Sequence, residues 1–133
     1  MIIMQVRFAR EVPDLMILVV DRRKDRLQET AEMLKRIFPN DTVATQDDPL
    51  AAVQFVYYNS VDFVITALNM RPMDGLKYIE TARKVTSKTK MILFATEDEM
   101  NEFMVCDDEA DGFLTEPLTE QGIRSVLTRD AAC

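Results

Sequence analysis

The segment DFVITALNMRPMDG, residues 62–75, decides the fold. Phe63 to Ala67 is a nearly continuous apolar run of strand length. A loop containing Pro72 follows. Leu76, Ile79 and Ala82 then recur at helical spacing. A strand apolar on alternate and intervening positions alike is buried on both faces, as parallel strands are when helices cover both sides of a sheet. In such a sheet the reactive side chains stand at the carboxyl ends of the strands. Here that end is Ala67, which carries only a methyl group.

The same unit repeats along the chain. Leu15–Val20 reads as a first strand, followed by a helix on Leu27, Ala31, Leu34 and Ile37 that Phe38 extends and Pro39 ends. Thr42–Thr45 is a short second strand, and Pro49 suits the first turn of a helix carrying Ala52, Val53, Val56 and Tyr57. Met91–Ala95 is a fourth strand, followed by a short acidic helix on Met100, Phe103 and Met104. Gly112–Thr115 is a fifth strand, and Leu118, Ile123, Val126 and Leu127 mark a last helix. The result is a single α/β domain of flavodoxin-like (βα)5 type. Right-handed crossovers restrict the sheet to a few doubly wound parallel topologies; the expectation is the flavodoxin-like strand order 2-1-3-4-5, whose crevice lies at the ends of strands one and three. Residues 1–14 read as an N-terminal extension, 15–128 as the domain, and 129–133 as a tail that would suit the start of a linker to an output domain.

Composition removes several classes of function. The 133 residues include no histidine, so Ser-His and Cys-His nucleophile systems and His-ligated metals are excluded. Three glycines form no phosphate loop. A net charge of −7 disfavours nucleic acid as a partner of this domain alone. No apolar run is long enough for a bilayer. Two cysteines, Cys106 and Cys133, are too few for a disulfide framework, and a reducing cytoplasm is the inference.

Four stretches, ILVVD (17–21), DFVITALNMRPMDG (62–75), MILFAT (91–96) and DGFLTEPL (111–118), together resemble the receiver domain of two-component response regulators. In that family, two acids after strand one and an Asp ending strand three hold magnesium, and that Asp takes a phosphoryl group from a histidine kinase. A Ser or Thr ending strand four and a Lys after strand five bind the phosphoryl oxygens, and an aromatic in strand five reports the change.

Carried onto this chain, the resemblance breaks at the chemistry. Ala67 falls on the phosphoacceptor position. The acid pair reads Asp21-Arg22, and Glu116 stands where the family has lysine. Either Ala95 or Thr96 falls on the hydroxyl position. Asn69 matches a residue that lends its backbone carbonyl to the metal, and Phe113 matches the aromatic switch. Magnesium needs carboxylates, and this set has one cation between two of them. The expectation is a degenerate pseudo-receiver that is not an enzyme, with no cofactor and no metal, in which Arg22 approaches Asp21, Glu116 or both. Two alternatives stay open: a working receiver with a displaced acceptor at Asp62, Asp74 or Thr66, and a flavodoxin-like FMN or nucleotide-binding protein.

Between Met91 and Ile123 there are ten Asp and Glu and no Lys or Arg. Glu99, Glu102, Asp107 and Asp108, with Phe103 and Phe113 as apolar anchors, therefore read as a face for a protein with a basic surface. A kinase or an output domain is the partner that the resemblance implies. A one-sign face repels its own copy. The expectation is a monomer, or a dimer built elsewhere than the fourth and fifth helices, such as through Val6–Phe8.

Overall fold

The computed structural model describes residues 14–127. Residues 1–13, with the Val6–Phe8 segment, and residues 128–133 lie outside the described residues. The elements are β1 (Met16–Val20), α1 (Lys24–Ile37), β2 (Thr42–Gln46), α2 (Pro49–Tyr58), β3 (Phe63–Ala67), α3 (Gly75–Ala82), β4 (Lys90–Ala95), α4 (Glu97–Glu102), a 3₁₀ turn (Asp107–Glu109), β5 (Gly112–Thr115) and α5 (Glu120–Val126). The five strands form one sheet in the order β2-β1-β3-β4-β5, and every pairing is parallel.

Side-chain alternation divides the core into two layers. Ile17, Val19, Phe63, Ile65, Ile92 and Phe94 meet Leu27, Leu34 and Ile37 of α1 and Ile123 of α5. Leu18, Val20, Val64, Met91 and Leu93 face the other way, onto Ala52 and Val56 of α2 and Tyr78, Ile79 and Ala82 of α3. Leu34 is fully buried, so its burial stabilises the fold by about 1.5–3 kcal/mol.

Short polar residues set the helix starts. Asp48 accepts from Leu50 N ahead of Pro49, Asp74 from Lys77 N, and Thr119 from Gly122 N. At the opposite end of the sheet, carboxylates pin strand entries: Asp62 accepts from Met16 N and Asp111 from Met91 N. Gly75 sits where the chain doubles back over β3. A Cβ there would collide with the Ala67 carbonyl oxygen and crowd a Leu93 methyl.

Two local readings need correction. Leu15 precedes β1 rather than starting it; its N–H donates to the Asp41 side chain, while its carbonyl accepts from Thr42 N. The fourth helix ends at Glu102, before Phe103 and Met104. It closes with a left-handed residue: Met104 has φ 51°, Val105 N bonds Met100 O and Met104 N bonds Asn101 O. This is the Schellman pattern, with methionine where glycine is usual.

Candidate functional site

The carboxyl ends of β1, β3, β4 and β5 bring Asp21, Ala67, Ala95 and Glu116 to one end of the sheet. Asp21 follows β1 and is only 1% exposed. Its backbone N–H still bonds Gln46 O, and one carboxylate oxygen accepts from Arg23 N at 3.0 Å.

The cation that meets it is Arg26. Arg26 Nε donates to Asp21 Oδ2 at 2.5 Å and Nη2 to Oδ1 at 3.0 Å, while Nη1 reaches Glu116 Oε2 at 3.3 Å. The guanidinium carbon lies 5.3 Å from the centre of the Phe94 ring. One planar group therefore ties the end of β1 to the residue after β5, across the end of the sheet. Burial opposes the charge on Arg26, but the bonds to Asp21 and the attraction of Asp21 and Glu116 outweigh it and raise its pKa. A cleft of about 240 Å³ beside the pair is lined by Arg26, Thr30, Met33, Phe94, Glu116 and Leu118.

Arg22 does not make this contact. It is exposed and has no ion pair among the described residues. It precedes α1 on the solvent side, whereas Arg26 lies one turn into the helix, beside Leu27 and one turn before Thr30, both buried. That stripe of α1 faces the sheet, and only from there can a guanidinium lie over Phe94.

The other sequence-derived positions fall as follows. Ala67 is buried, and its carbonyl accepts from the buried Thr66 hydroxyl at 3.1 Å. Ala95 ends β4 and is buried. Thr96 caps α4 in a reciprocal box, its hydroxyl accepting from Glu99 N and its N–H donating to the Glu99 carboxylate. The Thr96-x-x-Glu99 spacing is the sequence signature of such a cap. Asn69 is exposed and shares a cleft of about 270 Å³ with Arg71, Asp74, Glu102 and Phe103. Phe103 and Phe113 are half-buried, and both pack on the α2–α3 side of the core. Asp107 and Asp108 stand exposed in the 3₁₀ turn.

Several acids of the β4–α5 interval are engaged locally. Glu109 accepts from Cys106 N, Asp111 from Met91 N and from Arg83 at 3.5 Å, and Glu120 pairs with Arg124 at 2.9 Å. Glu97, Asp98, Glu102, Asp107 and Asp108 are exposed and make no ion pair among the described residues.

Residues 17–128 match the family model described as response regulator receiver domain. The chain belongs to that family. Solved structures agree on the fold. A receiver domain protein from Clostridium thermocellum superposes with a TM-score of 0.73 at 22% identity, over 88% of this chain and 94% of that one. Chemotaxis protein CheY4 of Vibrio cholerae gives 0.70 at 21% identity, over 87% and 98%. The signal receiver domain of an HD domain-containing protein from Pseudomonas fluorescens Pf-5 gives 0.72 at 24% identity, over 90% and 87%. No curated protein matches the chain. As a receiver domain it is a module of two-component signalling. Among the described residues no helix is long and apolar enough to cross a membrane.

Proposed function

We propose that this receiver signals by protein–protein contact, without phosphorylation of an aspartate and without magnesium. The observation that carries the reading is the Arg26 fork. Both oxygens of Asp21 are occupied by a guanidinium, the third donor of that group is spent on Glu116, and Ala67 adds no oxygen from its side chain. A divalent cation at Asp21 would sit against a fixed positive charge with a single carboxylate to hold it. Magnesium requires an octahedral oxygen set, and the side chains present do not fit it. Asp21, Arg26 and Glu116 carry the cross-sheet bridge that metal and phosphoryl group make in the resembled family.

The displaced acceptors have other duties. The Asp62 carboxylate holds Met16 N, Asp74 caps α3, and the Thr66 hydroxyl is buried against a carbonyl. Asp62 also lies at the far end of β3 from Ala67.

The partner face in this reading is α4, the 3₁₀ turn and β5. Glu97, Asp98, Glu102, Asp107 and Asp108 supply charge, and Phe103 and Phe113 supply apolar contact. It recruits a basic protein surface in the cytoplasm, with affinity that falls as salt rises. The test is addition of beryllofluoride with magnesium to the isotope-labelled chain. The amide spectrum is expected to stay unmoved; shifts clustered at Asp21, Ala67 and Ala95 would overturn the reading.

A further inference from the structure

Helix α2, PLAAVQFVYY, is the one helix among those described with no charged side chain. Ala52 and Val56 cover the sheet. The outer side leaves Leu50 60%, Tyr57 61% and Tyr58 77% exposed. Scattered apolar residues at a surface need no explanation. Here three large ones lie on one uncharged helix, with an apolar cleft at its start and a more polar one at its other end.

Leu50 and Tyr57 are two helical turns apart and share a face, with the exposed Gln54 between them. At the start of the helix, Leu50, Pro72 and Met73 line a cleft of about 530 Å³ flanked by Asp48 and Asp74. Lys77 also lines it, with its ammonium on Glu80 at 2.9 Å. At the other end, Tyr57 and Val85 line a cleft of about 440 Å³ together with Lys88. Asp62 borders that cleft with its carboxylate held by Met16 N, and Lys84 stands exposed beside Val85. The face sets Leu50 and Tyr57 on either side of Gln54, with acidic residues at the top and lysines at the bottom.

We propose that this face binds a second copy of the chain, α2 against α2, antiparallel about a two-fold axis near Gln54. The chain carries a net charge of −7, so most contacts between copies bring like charges together. An antiparallel α2 pair avoids this. It sets Leu50 of each copy against Tyr57 of the other, places Asp48 and Asp74 opposite Lys84 and Lys88, and is isologous, so it closes as a dimer. The proposal is independent of whether the receiver is phosphorylated.

Sedimentation velocity of the intact chain under reducing conditions, over a concentration series, is the test. A reversible dimer is expected. Leu50→Asp and Tyr57→Lys should each weaken it at least about tenfold. Mixing the two variants should restore a heterodimer, because Asp at 50 of one then faces Lys at 57 of the other while the second contact stays native. In a Cys106→Ser, Cys133→Ser, Gln54→Cys chain, a short bis-maleimide should link the two copies. A wild-type chain that stays monomeric throughout the series, a dimer that Leu50→Asp leaves intact, failure of the mixture to associate, or absence of the Gln54→Cys cross-link would each overturn it.

Discussion

Arg26 grips Asp21 with two parallel N–H donors, and both side chains are nearly out of water. A guanidinium pre-shaped as a fork loses little freedom in meeting a carboxylate this way. The carboxylate it meets has no water to fall back on, so the pair is costly to break from one side only.

Arg26→Met leaves Asp21 buried with Arg23 N as its remaining bond donor, and should lower stability by about 3–5 kcal/mol. Arg26→Lys should recover part of this at most, because an ammonium cannot make the paired bond. The double variant Asp21→Ala/Arg26→Met should cost less than the sum of the two single changes. Urea unfolding of the wild-type chain, Asp21→Ala, Arg26→Met and the double variant measures the coupling; simple additivity would mean that the pair is not one unit.

Met104 holds a left-handed backbone at the end of α4 and exposes its side chain almost fully, 80%. Its side chain therefore offsets little of the strain. Met104→Gly should stabilise the domain by about 0.5–1 kcal/mol, since glycine enters that region freely. A lower urea midpoint in the variant would show that the methionine packs usefully.

Tyr78 is fully buried, and its hydroxyl donates to Ala52 O at 3.2 Å, joining α3 to α2. Burial raises its pKa. A raised folded-state value means that the unfolded chain loses this proton first. The contribution is complete below the ordinary tyrosine value of about 10 and disappears as pH climbs above it. Stability should fall with pH in that alkaline range, and Tyr78→Phe should make the fall shallower while costing about 0.5–1.5 kcal/mol at neutral pH.

Cys106 is an exposed free thiol. The Glu109 carboxylate first, then desolvation and Asp108, raise its pKa. Since the thiolate is the nucleophile, alkylation of Cys106 at neutral pH should be slower than that of an unperturbed thiol and should accelerate at higher pH. Peptide mapping after a timed iodoacetamide pulse separates it from Cys133. Glu109→Gln should speed the reaction.

The strands were legible because burial on both faces leaves a continuous apolar run, as in Phe63–Ala67; the alternation of strand and helix narrowed the strand order to a few doubly wound topologies, of which the flavodoxin-like one is found. Ala67 and Glu116 were legible because Asp74-Gly75 and Glu116-Pro117 stand at fixed distances from their strands. The cation was not. Arg22 is next to Asp21 in the sequence, but a guanidinium ends several bonds from its backbone, and the helix face decides where that end can lie. Arg26 sits beside Leu27 on the buried stripe of α1, and that spacing was the available signal. Thr96 was ambiguous for a related reason: the end of β4 and the cap of α4 are adjacent, and hydrogen bonding rather than residue type separates them.

In the proposed function, the Asp21–Arg26–Glu116 bridge stands in place of phosphoryl chemistry at this end of the sheet. Incubation of the intact chain with acetyl phosphate and magnesium, followed at once by intact-mass spectrometry, tests it most directly. The mass of the wild-type chain should stay unchanged, and Ala67→Asp alone should not alter this because Arg26 still occupies Asp21. A single added phosphoryl group on the wild-type chain, mapped to any aspartate, would contradict it.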